Sequence, residues 1–87
     1  MIFSDFEMTA RNAAYAFRLG MDAQGSEGLI VLIDALPAYL EAMPGDVSAR
    51  LNQLLATMLA AQSRKDYLYL ADLLEYELLE LLPRETT

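Results

Sequence analysis

With 87 residues and no cysteine, the chain has room for one hydrophobic core and none for a disulfide framework, a thiolate nucleophile or a thiolate metal site. Its 6 Lys and Arg stand against 13 Asp and Glu, a formal charge of −7, so it lacks the clustered cations that neutralise a phosphate backbone; neither nucleic acid nor an anionic membrane is an expected partner. The hydrophobic fraction of 55% is high for so small a chain and points to apolar surface left over for association.

The first element is announced by Ser4-Asp5-Phe6-Glu7, which has the form of a capping box in which the Ser4 hydroxyl and the Glu7 carboxylate each satisfy an orphan amide. A helix over 4–19 follows, with Phe3, Phe6, Ala10, Ala13 and Phe17 at three-four spacing. Its aromatic rings lie towards the ends, and its small middle at Ala10, Ala13 and Ala14 lets a neighbour approach closely. Met8 and Tyr15 fall outside that stripe. Gly20 is placed to terminate the helix in the left-handed conformation, and Gly25 and Gly28 suggest a loop or a weak first turn.

The second helix is expected over 26–43, capped by Ser26, with Leu29, Leu32, Ile33, Leu36, Tyr39, Leu40 and Met43 on one face. Pro37 inside this pattern predicts a kink with the ring on the outer side beside Asp34 and Glu41. After the Pro44-Gly45-Asp46 turn, a third helix over 47–62, capped by Asp46, carries Val47, Leu51, Leu54, Leu55, Met58 and Leu59 inward. Gln62 to Asp66 is a short connection that ends on a capping residue, so the third helix and a fourth over 66–82 form an antiparallel hairpin.

That fourth helix has more apolar circumference than a core contact requires. At 100° per residue, Tyr67, Leu70, Ala71, Leu74, Leu78, Leu81 and Leu82 form one stripe, and Tyr69, Leu73 and Tyr76 a second, bordered by Asp72, Glu77 and Glu80. Leu68 and Leu79 fall on neither. Between Asp66 and Leu82 there are five carboxylates and no basic residue, and Glu77 and Glu80 sit at the end where the helix dipole disfavours negative charge. Arg11, Arg18, Arg50 or Arg64 from neighbouring helices could supply partners for these acids.

No catalytic constellation is found. Without His or Cys, acid-base or nucleophilic work would fall to carboxylates, Tyr, Ser or Lys65, and the four serines lie at helix ends or on polar faces. Gly20, Gly25 and Gly28 do not have the spacing of a phosphate loop or a dinucleotide fingerprint. An unbroken α-helix splits Asp72 and Glu75 from Glu77 and Glu80 by roughly 150°, which scatters a possible metal site. The N-terminus lacks the basic and apolar regions of a secretory signal and no run reaches the length of a membrane span, so the expected location is the cytoplasm.

The expectation is an all-α antiparallel bundle of four helices in a single domain over 1–87, not an enzyme, with no catalytic, cofactor or metal residues. Its function is expected to be protein interaction, as an adaptor, regulator or chaperone-like module. The contact surface would be Leu68, Tyr69, Asp72, Leu73, Tyr76, Glu77, Leu79 and Glu80, through which the last helix is expected to self-associate in a homodimer, with its acidic and aromatic face suited to a basic or amphipathic partner helix. The alternative is a small-ligand- or metal-responsive domain that uses the same groove or the space beside Ala10, Ala13 and Ala14.

Overall fold

The structure, a computed structural model, describes residues 3–41 and 43–81, the side chains of residues 3 and 4 apart. The described residues form four helices and no strand: α1 (Phe3–Arg18), α2 (Asp22–Glu41), α3 (Gly45–Ser63) and α4, which is built of Tyr67–Asp72, a π turn at Leu73–Glu77 and a closing turn at Leu78–Leu81. The expected capping by Ser4, the place of Phe3 in its stripe, and Leu82 with the tail lie outside what is described.

Helix α1 is the hub. Phe6, Ala10, Ala13, Ala14, Ala16 and Phe17 are all buried, whereas Met8 and Tyr15, outside the predicted stripe, are exposed. Its other partners are α2 on one flank and α4 on the next; α3 packs along α4 and touches α2 only sparsely. Helix α1 ends in a Schellman motif, with the Gly20 amide donating to the Phe17 carbonyl at 3.1 Å and the Met21 amide to the Ala16 carbonyl at 2.8 Å. Gly20 takes φ +76°, as its position after the helix anticipated.

Helix α2 begins four residues before the expected start and runs through Gly25 and Gly28, so neither glycine marks a loop. The reason is tertiary: a Cβ on Gly25 would lie 2.6 Å from the Phe17 ring, and one on Gly28 would lie 2.9 Å from the Ala13 Cβ. The glycines are the floor of the α1–α2 crossing. Ser26 is consequently inside the helix rather than its cap, and it accepts a 3.4 Å hydrogen bond from Gln62 Nε2 of α3. Leu29, Leu32, Leu36 and Tyr39 are buried on the predicted face, and Ile33, Leu40 and Met43 pack against the core. Pro37 is exposed on the outer side with Asp34 and Glu41, where its missing amide leaves the Ile33 carbonyl without its usual donor.

Helix α3 starts at Gly45 with Pro44 in the capping position, so Asp46 sits in the first turn, where it favours the positive end of the dipole, and is not the cap. Leu51 and Met58 are buried and Leu54 and Leu55 half-buried, but Leu59 is exposed and Ala61 buried in its place. Leu59 and Ala61 stand about 200° apart on the helix, so only one of them can face the core. The α3–α4 connection repeats the Schellman pattern: the Lys65 amide donates to the Gln62 carbonyl at 3.0 Å and the Asp66 amide to the Ala61 carbonyl at 2.9 Å. Here the left-handed position is occupied by Lys65, φ +60°, rather than by glycine. Asp66 occupies the position before α4 but caps it through its carbonyl, which accepts from the Leu70 amide at 3.0 Å; its carboxylate makes no capping bond.

Two substitutions test these backbone features in opposite directions. Gly25→Ala, which would raise stability by about 1 kcal/mol in an open helix, should lower it here by about 1 to 3 kcal/mol because the methyl group enters the Phe17 ring. Lys65→Gly should raise stability by about 0.5 to 1 kcal/mol by removing the side-chain penalty of the left-handed conformation. Urea unfolding of both variants measures the signs.

Candidate functional site

The final turns of α4 do not follow a single α-helical phase. Across Leu73–Glu77 the helix widens to a π turn, and the Leu78 amide closes it by donating to the Leu73 carbonyl, five residues back. One residue beyond the α repeat rotates everything after it by about 100°. The consequence is visible in burial: Leu70, Ala71, Leu73, Leu74, Leu78 and Leu79 are all in the core.

This divides the predicted contact surface. Leu73, placed on the second stripe, and Leu79, which fell on neither, are both core residues rather than parts of an open surface, whereas Leu68 is exposed at 66% on another face. An unbroken α-helix would have turned Leu79 outward and Glu77 into the core. The π turn exchanges them, so Tyr69, Asp72, Tyr76, Glu77 and Glu80 all stand exposed.

What these side chains border is a trough between α3 and α4. Its first hollow, about 480 Å³, is lined by Leu54 and Thr57 of α3 and by Tyr69, Asp72, Leu73, Tyr76 and Glu77 of α4. The adjoining hollow, about 510 Å³, shares Leu54, Thr57 and Glu77 and adds Arg50, Gln53, Glu80 and Leu81. Leu73, though buried in the main, shows its edge at the floor. From Tyr69 to Leu81 the trough extends roughly 18 Å along the helix axis.

Charge along α4 is compensated on one side only. Arg18, at the end of α1, donates from one terminal nitrogen to Asp72 Oδ1 at 2.9 Å and from the other to Glu75 Oε2 at 2.8 Å, and its guanidinium carbon lies 5.9 Å from the centroid of the Tyr76 ring. The bond to Asp72, helped by Glu75 against the cost of partial burial, holds Arg18 even more firmly protonated than usual. Arg11 is engaged with Glu7 at 3.0 Å and Arg64 stands 4.0 Å from Asp66. Of the four arginines that could have met the acids of α4, Arg18 alone does so among the described residues, and it meets Asp72 and Glu75; Glu77 and Glu80 make no ion pair there.

No set of three or more metal-binding side chains is grouped among the described residues. The space beside Ala10, Ala13 and Ala14, considered above for an apolar ligand, is filled by neighbouring helices, since all three are buried. Burial, reinforced by Asp5, pushes the Tyr39 hydroxyl above its ordinary pKa; its ring meets Phe6 edge-on at 4.9 Å inside the core, away from the trough. Among the described residues no helix is long and apolar enough to cross a membrane. No protein-family model, curated protein or solved structure matches the chain.

The sequence pointed to Tyr69, Tyr76, the acids and Arg18 as one of four possible partners for them, but missed the α3 wall, Leu54 and Thr57. Leu54 was assigned wholly to the core, and nothing local marks a residue that serves both core and rim. A pair of truncations tests the phase of the last turn: Leu79→Ala should cost about 2 to 4 kcal/mol and Leu68→Ala less than about 0.5 kcal/mol. An α4 that continued as a plain α-helix would leave Leu79 exposed as well, so both truncations would cost little, and equilibrium denaturation distinguishes the two.

Proposed function

We propose that the protein is a non-enzymatic interaction module that receives a helix from another polypeptide in the α3–α4 trough. The observation that carries this reading is an apolar floor flanked by two exposed tyrosines, Tyr69 and Tyr76, on a helix whose π turn brings them to the same side as Glu77. Tyrosine supplies large contact area at small entropic cost and is favoured at the centres of interfaces. A length of roughly 18 Å accommodates about three turns of a partner helix, the span of an i, i+3/i+4, i+7 set of anchors. π turns inside α-helices are often found at functional sites, which supports the same reading.

The absence of His and Cys and the solvent exposure of Asp72, Glu77 and Glu80 favour binding over catalysis, since no group in the trough is sheltered enough to be tuned for proton transfer. A second copy is one conceivable occupant, but each chain brings a charge of −7 to the contact. A cytoplasmic setting belongs to the proposal on the strength of the cysteine-free composition.

The test is a heteronuclear NMR titration with amphipathic helical peptides, alongside solution mass by light scattering over a concentration series. Amides of Leu54, Thr57, Tyr69 and Tyr76 should shift, and a Tyr69→Ala/Tyr76→Ala variant should keep its helical circular dichroism and lose the shifts. A concentration-dependent dimer abolished by the same variant would assign the trough to self-association. A strict monomer whose trough responds to no helix would reject the module.

A further inference from the structure

The occupant of the trough can be specified further from how its charge is distributed. Four carboxylates follow one another along α4, and α1 reaches only the first two: Arg18 spans Asp72 and Glu75 at 2.9 and 2.8 Å. Glu77, which ends the π turn, and Glu80 line the trough beside Leu81 and Arg50, with no ion pair to either among the described residues. Both carboxylates are exposed, so an incoming cation can reach either. The other end of the trough is walled by Tyr69, Tyr76, Leu54 and Leu73 together with Thr57, Asp72 and Glu77, so apolar and aromatic contact is offered there among polar groups.

Resting on the docking function proposed above, we propose that the trough selects a basic amphipathic helix. Its apolar side chains sit between Tyr69, Leu73, Tyr76 and Leu54, and its lysines or arginines are held by Glu77 and Glu80. Asp72, which borders the same trough, contributes little to selection because its charge is already answered by Arg18. Glu77 and Glu80 are thus specificity-determining residues, distinct from the rest of an acidic surface that gives only a diffuse field. Charge matching acts on partner choice and on salt dependence, while the apolar end supplies contact for any amphipathic helix.

The experiment measures fluorescence anisotropy of two labelled model helices with the same leucine stripe, one carrying lysines on its polar face and one glutamates. They are tested against the wild type and three variants: Glu77→Gln/Glu80→Gln, Asp34→Asn/Glu41→Gln, and Tyr69→Ala/Tyr76→Ala. The first two remove the same amount of charge, from the trough and from the outer side of α2 respectively, at exposed positions. The expected result is that the lysine helix binds and the glutamate helix does not. Glu77→Gln/Glu80→Gln should weaken binding at least about tenfold and flatten its salt dependence, whereas Asp34→Asn/Glu41→Gln should change it less than about twofold.

Equal weakening by both charge variants would mean attraction by net charge alone and would overturn the selection. If both helices bind the wild type alike and only the tyrosine variant loses them, the trough docks helices without reading charge; the selection falls and the docking function stands. If neither helix binds, or the tyrosine variant binds as well as the wild type, both readings fail.

Discussion

The Phe17 ring holds the architecture together because it is pressed between two helices at once. On one side it lies where a Cβ of Gly25 would be, on the other it is stacked on Tyr67 with centroids 5.1 Å apart and planes 7° from parallel. Closeness of this kind requires glycine on α2, because any larger residue would lift the helix off the ring. Every other contact of α1 inherits that geometry: Ala13 meets Gly28 one turn away, and Ala10 and Ala14 are sealed between neighbours. Helix α3 has little hold on α2, so its position is inherited in turn from α4, whose first residue is the one stacked on Phe17. The trough between α3 and α4 is therefore placed by a ring that does not touch it.

The electrostatics follow from the same corner. Arg18 comes immediately after Phe17, at the end of α1 where a cation is favoured by the helix dipole, and its side chain crosses to Asp72 and Glu75. Forked guanidinium contacts of this kind have more geometric definition than a lone exposed ion pair, though the partial exposure of Asp72 keeps the energy modest. What matters is where the fork stops. It covers Asp72 and Glu75 and reaches neither Glu77, the last residue of the π turn, nor Glu80 after it, so one helix carries a neutralised segment and a bare one. Paired and unpaired carboxylates become separated along the helix without any change in composition.

Much of this was legible in the residues, and the illegible parts share a cause. The inner faces of α2 and α3 repeat every three or four residues, and burial against a single core is what such periodicity records; Leu29, Leu32, Leu36, Leu51 and Met58 are where the pattern puts them. The alanines of α1 were readable as a site of close approach for the same reason. Gly25 and Gly28 were misread because local propensity counts glycine as a helix breaker, while its purpose here lies in another helix. Leu59 and Ala61 changed places because the pattern cannot say which flank of α3 has a neighbour. For the candidate surface, a wheel drawn at a constant 100° put Leu79 outside and left α4 apolar on nearly every side. That contradiction was itself the sign that the repeat changes within the helix.

The π turn has a meaning for the length of the chain. Take away Glu75 or Tyr76, and the leucines that follow move up to give an unbroken α-helical register with the same buried set. The core, then, has no need of the additional residue. In alignment terms it is an insertion whose cost falls on helix geometry and whose effect falls entirely on the outside, displacing the acids after it relative to the tyrosines before it. A shortened version of this domain would fold around an equivalent interior and present a different exterior, so the surface of α4 is set by residue number as much as by residue type.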